Sequence, residues 1–386
     1  MSPRSKKDYL EAIFPRYKKA KRRSQKTKIL DEFCKVCGYH RKHAIRLLAK
    51  FKRFVKPKIH KRGKPSIYNQ PSILQALERI WLASSMPCSK RLIVIIPLWL
   101  PHYPGGLGLH IIKPLTKISA STIDRVLKHS RKKHKRVNIS TTKPGTLLRK
   151  QIPIKTNQWE ECHPVFLEAD TVAHCGGYLE GDYVNTVDLV DIATGWTEQR
   201  AVWGKGETSV LEQIKDVEQS LPFPLRGFDS DNGGEFLNHH LLRHFTDNPT
   251  RKIPIQFTRS RAYKKDDNAH IEQKNYTHVR QCLGYRRFDN PKIVDLLNDL
   301  YKNEWRLYHN FFLPSVKLIE KERIRSKVIK KHDKPKTPYQ RVVEAASIDV
   351  SNHAKHKLTQ QLEYLNPFEL KKIINKKIEK ILNLAS

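Results

Sequence analysis

The feature that most constrains how this chain folds is a succession of short apolar segments and amphipathic helices between residues 163 and 283. Three segments at its start have the length and composition of strands. A helix, a strand, a helix, a strand and a long helix follow in that order. The predicted strands are 163–170, 184–192, 196–203, 225–228 and 255–258, and the predicted helices are 207–220, 234–245 and 267–283. This alternation is typical of an α/β domain.

Charge divides the chain into a basic front and a nearly neutral remainder. Residues 1–150 carry 38 Lys and Arg against 6 Asp and Glu, whereas residues 151–386 carry 36 against 32. A segment this basic attracts the phosphate backbone of nucleic acid, and its affinity falls steeply with added salt. The front therefore predicts a nucleic-acid partner, and the competing interpretation is a ribosomal or histone-like packing protein.

The sign of the charge reverses inside the α/β pattern. Residues 161–250 carry 5 Lys and Arg against 16 Asp and Glu. Such an acidic island repels phosphate unless divalent cations neutralise it. Asp170 and Asp231 lie at predicted strand ends and Glu272 on the last helix, and hard cations prefer oxygen ligands of this kind. Two ions about 3.5–4 Å apart would polarise a phosphate and stabilise the leaving oxygen of an in-line displacement.

Two helical modules are predicted in the basic front. Residues 27–51 form two helices around a turn at Gly38, with Ala44, Ile45 and Leu48 facing inward. Basic residues recur at helical spacing, as a helix laid in a major groove requires. They are Lys42, Arg46 and Lys50 in the first module and Arg125 and Lys128 in the second. The alternative is a solvated basic face on an ordinary helical bundle.

Four blocks carry a family resemblance: FLEADTVAH, VDLVDIATGW, FDSDNGGEF and TRSRAYKKDDNAHIEQKNYTHVR. In this order they resemble the integrase core of bacterial insertion-sequence transposases, which are related to retroviral integrases. The resemblance implies a ribonuclease H-like core, whose order of elements matches the pattern above. Position by position, it implies Asp170, Asp231 and Glu272 as the catalytic, metal-binding residues of a DDE site. Glu168 and Asp229, which point with them at a strand's period of two, are assigned a supporting role.

The resemblance implies a multidomain DNA transposase. Such a protein binds the terminal inverted repeats of its element and performs cleavage and strand transfer on double-stranded target DNA, with two Mg²⁺ or Mn²⁺ ions per active site. Joining two ends implies at least a homodimer. The alternatives are a catalytically silent DNA-binding regulator derived from a transposase, and a nuclease of the same fold that only hydrolyses nucleic acid.

The predicted organisation places the catalytic core between basic helical regions. Arg259, Arg261, Lys264, Lys265 and Lys274 surround the Glu272 helix and are predicted to clamp DNA phosphates. The domains, in order, are a helix-turn-helix module at 1–52, a basic linker at 53–69, a second such module at 70–137, a connector at 138–160, the integrase core at 161–312 and a basic helical region at 313–386.

Zinc is not predicted, although two cysteines and two histidines occur together near the N-terminus. Cys34, Cys37, His40 and His43 all lie within ten residues, whereas structural zinc normally joins two ligand pairs that are a dozen or more residues apart. Buried thiols and solvent-facing histidines of a helical module explain the pattern better.

Cytoplasmic, nucleoid-associated localisation is expected from what the sequence does not contain. The longest apolar run, residues 92–100, is interrupted by Pro97 and is shorter than the roughly 20 residues needed to cross a bilayer. The N-terminus is basic and has no apolar segment typical of a signal peptide. Six scattered cysteines suit free thiols in a reducing compartment.

Overall fold

The computed structural model describes most of the chain. The described residues are 1–50, 66–134, 164–231, 233–249, 251, 253–259, 269–324 and 327–385. The chain divides into two compact units, Met1–Pro65 and Ser66–Ser386. Within the described ranges, no helix is both long enough and apolar enough to span a membrane.

The first unit is built from helices α1 (Pro3–Lys19), α2 (Arg23–Cys37) and α3 (Arg41–Lys50). Gly38 ends α2 in the left-handed conformation at φ 66°, which glycine adopts without steric cost. Ile45 was expected to face inward, but its side chain is 42% exposed. The buried side of α3 is formed by Ala44 and Leu48 instead. The buried core consists of Leu10, Ile13, Leu30, Phe33, Cys37, Ala44 and Leu48.

The second unit begins with short helices that pack onto the rest of that unit. They are α4 (Pro71–Ala83), α5 (Ser89–Trp99), α6 (Leu109–Thr116), α7 (Ala120–Val126) and α8 (Lys128–Lys133). The helices after the sheet are α13 (Lys292–Leu300), α14 (Arg306–Phe312), α15 (Pro338–Glu344), α16 (Asn352–Glu363) and α17 (Pro367–Leu384), and a π-helical segment, Tyr301–Trp305, joins α13 to α14.

The expected separate module at 70–137 is part of this larger unit. The Trp99 indole N–H donates to the carbonyl of Phe312 at 3.4 Å, and its ring meets Phe368 edge-on at 5.0 Å. The Tyr308 hydroxyl donates to the carbonyl of Ala83 at 2.6 Å. These aromatic side chains bury the helices of residues 71–133 and those of the C-terminal region in one core. The role of this region as a second helix-turn-helix-like DNA-binding module stays a prediction.

The C-terminal region is helical except for a hairpin of strands β6 (Leu318–Ile324) and β7 (Lys327–His332). The prediction of helix is therefore wrong for 318–332. Glu320 lies opposite Lys331 in the antiparallel register, and their side chains form an ion pair at 3.5 Å. Opposite charges across a strand pair stabilise a hairpin, and this pairing is not visible in the lysine content.

The centre of the second unit is a five-stranded mixed sheet. Its strands are β1 (Phe166–Ala173), β2 (Val184–Asp191), β3 (Thr197–Trp203), β4 (Gly227–Ser230) and β5 (Gln256–Arg259), in the order β3-β2-β1-β4-β5. Strands β1, β2 and β3 pair antiparallel, whereas β4 and β5 run parallel to β1. This is the succession of strands that the sequence predicted for the core.

The two faces of the sheet have different chemistry. On one face, helices α9 (Glu207–Ser220) and α10 (His239–Thr246) pack against apolar side chains. The opposite face, at its centre, buries polar side chains under helix α11 (Ala269–Lys274), which continues as a π-helical segment, Asn275–Arg280, and a last turn, α12 (Gln281–Leu283). The apolar face contains Leu167, Ala169, Val187, Leu189, Val202, Phe228 and Phe257. The polar face contains Glu168, Asp170, Asp188, Gln199, Asp229 and Thr258.

Candidate active site

Asp170 and Asp231 lie next to each other at the edge of the sheet where β4 ends. Strands β1 and β4 are parallel neighbours, and Ala169 is paired with Ser230. Asp170 follows Ala169 inside β1, which continues to Ala173, whereas Asp231 directly follows the last residue of β4. Both side chains are half-buried. The structure thus brings together two of the three residues that the sequence predicted as metal ligands.

Each of these carboxylates is oriented by hydrogen bonds. The amide of Asn275 donates to Asp170 Oδ2 at 2.6 Å, and the backbone N–H of Thr171 donates to Oδ1 at 2.7 Å. The backbone N–H of Gly233 donates to Asp231 Oδ1 at 2.8 Å. These donors hold both side chains in place before any ligand arrives.

Gly233 lies where two carboxylates crowd the backbone. A Cβ atom at this position would lie 2.7 Å from Glu235 Oε2 and 2.8 Å from Asp231 Oδ1, closer than real Cβ contacts. A glycine therefore lets Glu235 and Asp231 both approach the backbone, which places a further carboxylate at the site.

Negative charge accumulates at this edge of the sheet. Burial and then the charge of Asp231 raise the pKa of Asp170 to about 8, although Thr171, Asn275 and Lys205 oppose the shift. Burial also raises the pKa of Asp231, against the N–H of Gly233. Carboxyl groups whose pKa is raised by burial and by neighbouring negative charge are stabilised in the ionised form when a cation binds between them. The donor atoms are hard oxygens, so the residues present fit Mg²⁺ or Mn²⁺.

Glu168 and Asp229 form a second, deeper pair. They face each other across β1 and β4, and both are fully buried. Burial, followed by the charge of Asp229, raises the pKa of Glu168 well above its usual value. The Thr258 hydroxyl donates to Asp229 Oδ1 at 2.5 Å. Because a cation enters the site from solvent, the half-buried pair is more accessible than the fully buried one, which favours Asp170 and Asp231 as ligands.

Glu272 lies on α11 with its side chain exposed to solvent. It is three residues before Asn275, so the two share a helix face, and Asn275 already touches Asp170. The Glu272 charge also contributes to the raised pKa of Glu168. As the described side chains stand, no group of three His, Cys, Asp or Glu is arranged to hold a metal ion. Glu272 thus lies on the same side of the sheet as Asp170, but its side chain does not form a three-residue metal-binding group with Asp170 and Asp231.

Lys274 does not lie where the sequence predicted a phosphate clamp. It is buried, and its ammonium donates to the carbonyl of Gly195 at 3.4 Å. Burial lowers its pKa to about 8, although the charge of Asp188 opposes this shift. Residues two apart on a helix point to nearly opposite sides, so an exposed Glu272 directs Lys274 inward. Arg259 is also buried, so neither side chain is presented to solvent in this structure, and their contact with phosphate stays a prediction.

The other predicted DNA-binding residues divide into exposed and undescribed ones. Lys42 and Arg46 are exposed on α3, one turn apart, and Arg125 and Lys128 are exposed on α7 and α8. Their contact with DNA remains a prediction. Arg261, Lys264, Lys265 and the side chain of Lys50 lie outside the described residues.

Sequence reasoning missed three residues that touch the predicted ligands or their neighbours. Asn275 follows Glu272 by one helical turn, and Glu235 is part of the FDSDNGGEF block, so both carried a usable signal. Lys205 follows β3 between two glycines and belongs to no recognisable pattern. Only the tertiary structure places it at the site.

The fold and the site together define a mixed α/β sheet protein with a carboxylate cluster at one sheet edge. No protein-family model matches the chain. The uncharacterized protein y4rM of Sinorhizobium fredii is 36% identical over 346 residues, which cover 88% of this chain and 96% of that protein. The chain belongs to the same family as y4rM.

Two solved structures are similar to parts of the chain. One is a chain of the simian T-cell lymphotropic virus intasome in complex with a PP2A regulatory subunit. It is 13% identical to this chain, the match covers 61% of this chain and 70% of that chain, and the TM-score is 0.31. The other is the catalytic core domain of BIV integrase. It is 15% identical to this chain, the match covers 50% of this chain and 98% of that chain, and the TM-score is 0.29. Both TM-scores are below 0.5, and the fold described above rests on the order and register of the strands.

Proposed function

We propose that this chain is a DDE-type DNA transposase or integrase that binds the ends of a DNA element and catalyses Mg²⁺-dependent strand cleavage and strand transfer. One observation carries the proposal: Asp170, inside β1, and Asp231, the residue after β4, lie next to each other on neighbouring parallel strands, half-buried and with raised pKa values. Paired carboxylates at the edge of a sheet are a site for divalent cations, and divalent cations promote phosphoryl transfer.

Each residue has a distinct part in the proposed chemistry. Asp170 and Asp231 would hold the cations, and Glu272 would complete the ligand set from the adjacent helix. When bound, a pair of Mg²⁺ ions polarises the phosphate, helps to deprotonate the attacking hydroxyl and stabilises the leaving oxygen. Asn275 fixes the orientation of Asp170 through its 2.6 Å hydrogen bond. The proposed mechanism requires no Ser or Tyr nucleophile.

The proposed substrate is double-stranded DNA, in the form of element ends and target. The basic front, with 38 Lys and Arg in residues 1–150, supports this choice. Exposed basic side chains at helical spacing are available on α3 for phosphate contact. Acting on two ends at once requires at least a dimer of the chain.

Cleavage of end-containing duplexes by Asp231→Asn tests the proposal. Labelled duplexes carrying the sequences that flank the coding region are incubated with the full chain in Mg²⁺. We expect the variant to keep DNA binding but to lose cleavage and joining, because an amide oxygen replaces a charged ligand. Asp299→Asn is a matched control, since Asp299 is an exposed partner of Lys377 at 2.8 Å.

Two results of this experiment would contradict the proposal. Retained cleavage by Asp231→Asn would remove the carboxylate from the chemistry. End-specific binding by the unaltered chain, with neither cleavage nor joining in Mg²⁺ or Mn²⁺, would instead support the regulator interpretation. Hydrolysis without joining would support a nuclease.

A further inference from the structure

A lysine outside every recognised motif lies at the rim of the carboxylate site. The ammonium of Lys205 donates to Glu235 Oε1 at 2.7 Å and to the hydroxyl of Thr171 at 3.0 Å. Thr171 directly follows Asp170, so the ammonium is one residue away from a predicted metal ligand. The Lys205 side chain is 42% exposed, whereas that of Glu235 is only 8% exposed. The ammonium of Lys205 is therefore partly exposed to solvent, while the carboxylate of Glu235 beneath it is buried.

The ammonium lies in the electrostatic field of the whole site. Burial acts against its charge, but the charges of Glu235, Asp231 and Asp170 outweigh burial and raise the pKa of Lys205. Its charge in turn opposes the raised pKa of Asp170. Lys205 thus partly neutralises the carboxylates before any divalent cation is bound.

Binding of divalent cations changes the balance of forces on this lysine. Cations held by Asp170 and Asp231 would repel the ammonium, while the phosphates of arriving DNA would attract it. A lysine carries its charge on a flexible four-carbon stem with three rotatable donors, so it can exchange one oxygen partner for another.

Glu235 keeps a hydrogen-bond donor when the lysine moves away. The hydroxyl of Thr171 donates to Glu235 Oε1 at 2.6 Å. A buried carboxylate left without any donor would be strongly destabilising, and this hydroxyl prevents that. The pair between Lys205 and Glu235 is therefore suited to opening.

We propose that Lys205 is a DNA-positioning residue, which rests on Glu235 in the free protein and moves to a DNA phosphate beside the cation site when substrate binds. This inference rests on the proposed function. It assigns to Lys205 the contact that the sequence had predicted for Lys274 and Arg259, both of which are buried.

Salt-dependent DNA binding and cleavage kinetics test this assignment, with Lys302 as the matched control. The Lys302 side chain is 40% exposed, and its ammonium donates to Asp216 at 3.0 Å, so it has the same kind of ion pair without any predicted metal ligand. The full chain and its variants are titrated with end-containing duplex in Ca²⁺ over a series of KCl concentrations. The kcat and KM for cleavage are measured in Mg²⁺.

We expect Lys205→Ala to reduce the slope of log K against log[KCl] by about 0.9, the value for one phosphate contact. Its kcat/KM should fall by about 10- to 100-fold, as for the loss of one charge-assisted hydrogen bond. Lys205→Arg should keep the wild-type slope because it keeps the charge, and Lys302→Ala should match wild type in both measurements.

A wild-type slope and wild-type kinetics for Lys205→Ala would overturn the inference and leave the proposed function intact. Absence of metal-dependent cleavage in the unaltered chain would instead defeat the proposed function. If Lys205→Ala does not fold, Lys205→Gln decides, because it keeps a donor toward Glu235 and removes only the charge. A wild-type slope for Lys205→Gln would again contradict a phosphate contact.

Discussion

The two faces of the central sheet differ in the side chains that the same strands bury. One face buries apolar side chains, and the other buries carboxyl groups. On the face toward α9 and α10, Leu189, Phe228 and Phe257 are packed side chains that gain free energy from burial. On the other face, Glu168 and Asp229 are fully buried carboxyl groups, and burial of an ionised carboxylate is unfavourable. Burial on the apolar face therefore stabilises the fold, whereas burial of carboxyl groups on the polar face opposes it.

The polar face compensates only part of this unfavourable burial. Burial raises the pKa of Asp188 to about 7, although the amide of Gln199, which donates to it at 2.7 Å, and the charge of Lys274 oppose the shift. Locally unfavourable groups that remain in a folded protein are concentrated at functional sites. Substitutions on the apolar face should therefore change mainly the free energy of unfolding, whereas substitutions on the polar face should change mainly cation binding.

The largest change in stability is expected from Phe228→Ala on the apolar face. Phe228 is fully buried against Phe245 and Phe257, and truncation of a buried phenylalanine costs about 3–5 kcal/mol. Chemical denaturation measures the free energy of unfolding. Ile253→Ala, at a side chain that is 72% exposed, is the control and should change it little. Equal effects of the two variants would show that this face does not carry the stability.

An intermediate effect is expected when Mg²⁺ is added to the unaltered chain. A ligand that binds only the folded state at 100 times its Kd stabilises by about 2.7 kcal/mol. The Tm should rise with Mg²⁺ at constant ionic strength, and Asp170→Asn or Asp231→Asn should abolish the rise. Asp299→Asn, whose carboxylate is on the surface, should keep it. A rise that survives in both site variants would place the cation elsewhere.

The smallest effect is expected from Gly233→Ala, which tests how tightly the carboxylates are placed. The new Cβ would push Asp231 and Glu235 away from the backbone. We expect cleavage to fall by about tenfold, with a change in unfolding free energy below about 1.5 kcal/mol, because flexible side-chain ends can move. Gly234→Ala is the adjacent control, since a Cβ there meets nothing within 4 Å. Loss of activity in both variants would point to the loop backbone instead.

Much of the core could be predicted from the sequence because its signals are local. The strand predicted at 184–192 is observed as Val184–Asp191, and the helix predicted at 207–220 is observed as Glu207–Ser220. In both cases the pattern of apolar residues is complete within the segment itself. The strands at 318–324 and 327–332 were missed because their stability comes from pairing with each other, including the ion pair between Glu320 and Lys331.

Local patterns alone predicted the order of the elements in the core and placed Glu272 on the last helix, but they ended the first strand at Asp170, whereas β1 continues to Ala173. Only the tertiary structure decided which carboxylates are accessible, since the register of β1 against β4 joins residues about sixty positions apart. It likewise decided that Lys274 points inward and that Lys205 reaches the site. The spacing of apolar residues is a property of each segment alone, whereas the surroundings of a side chain depend on how the rest of the chain packs against it.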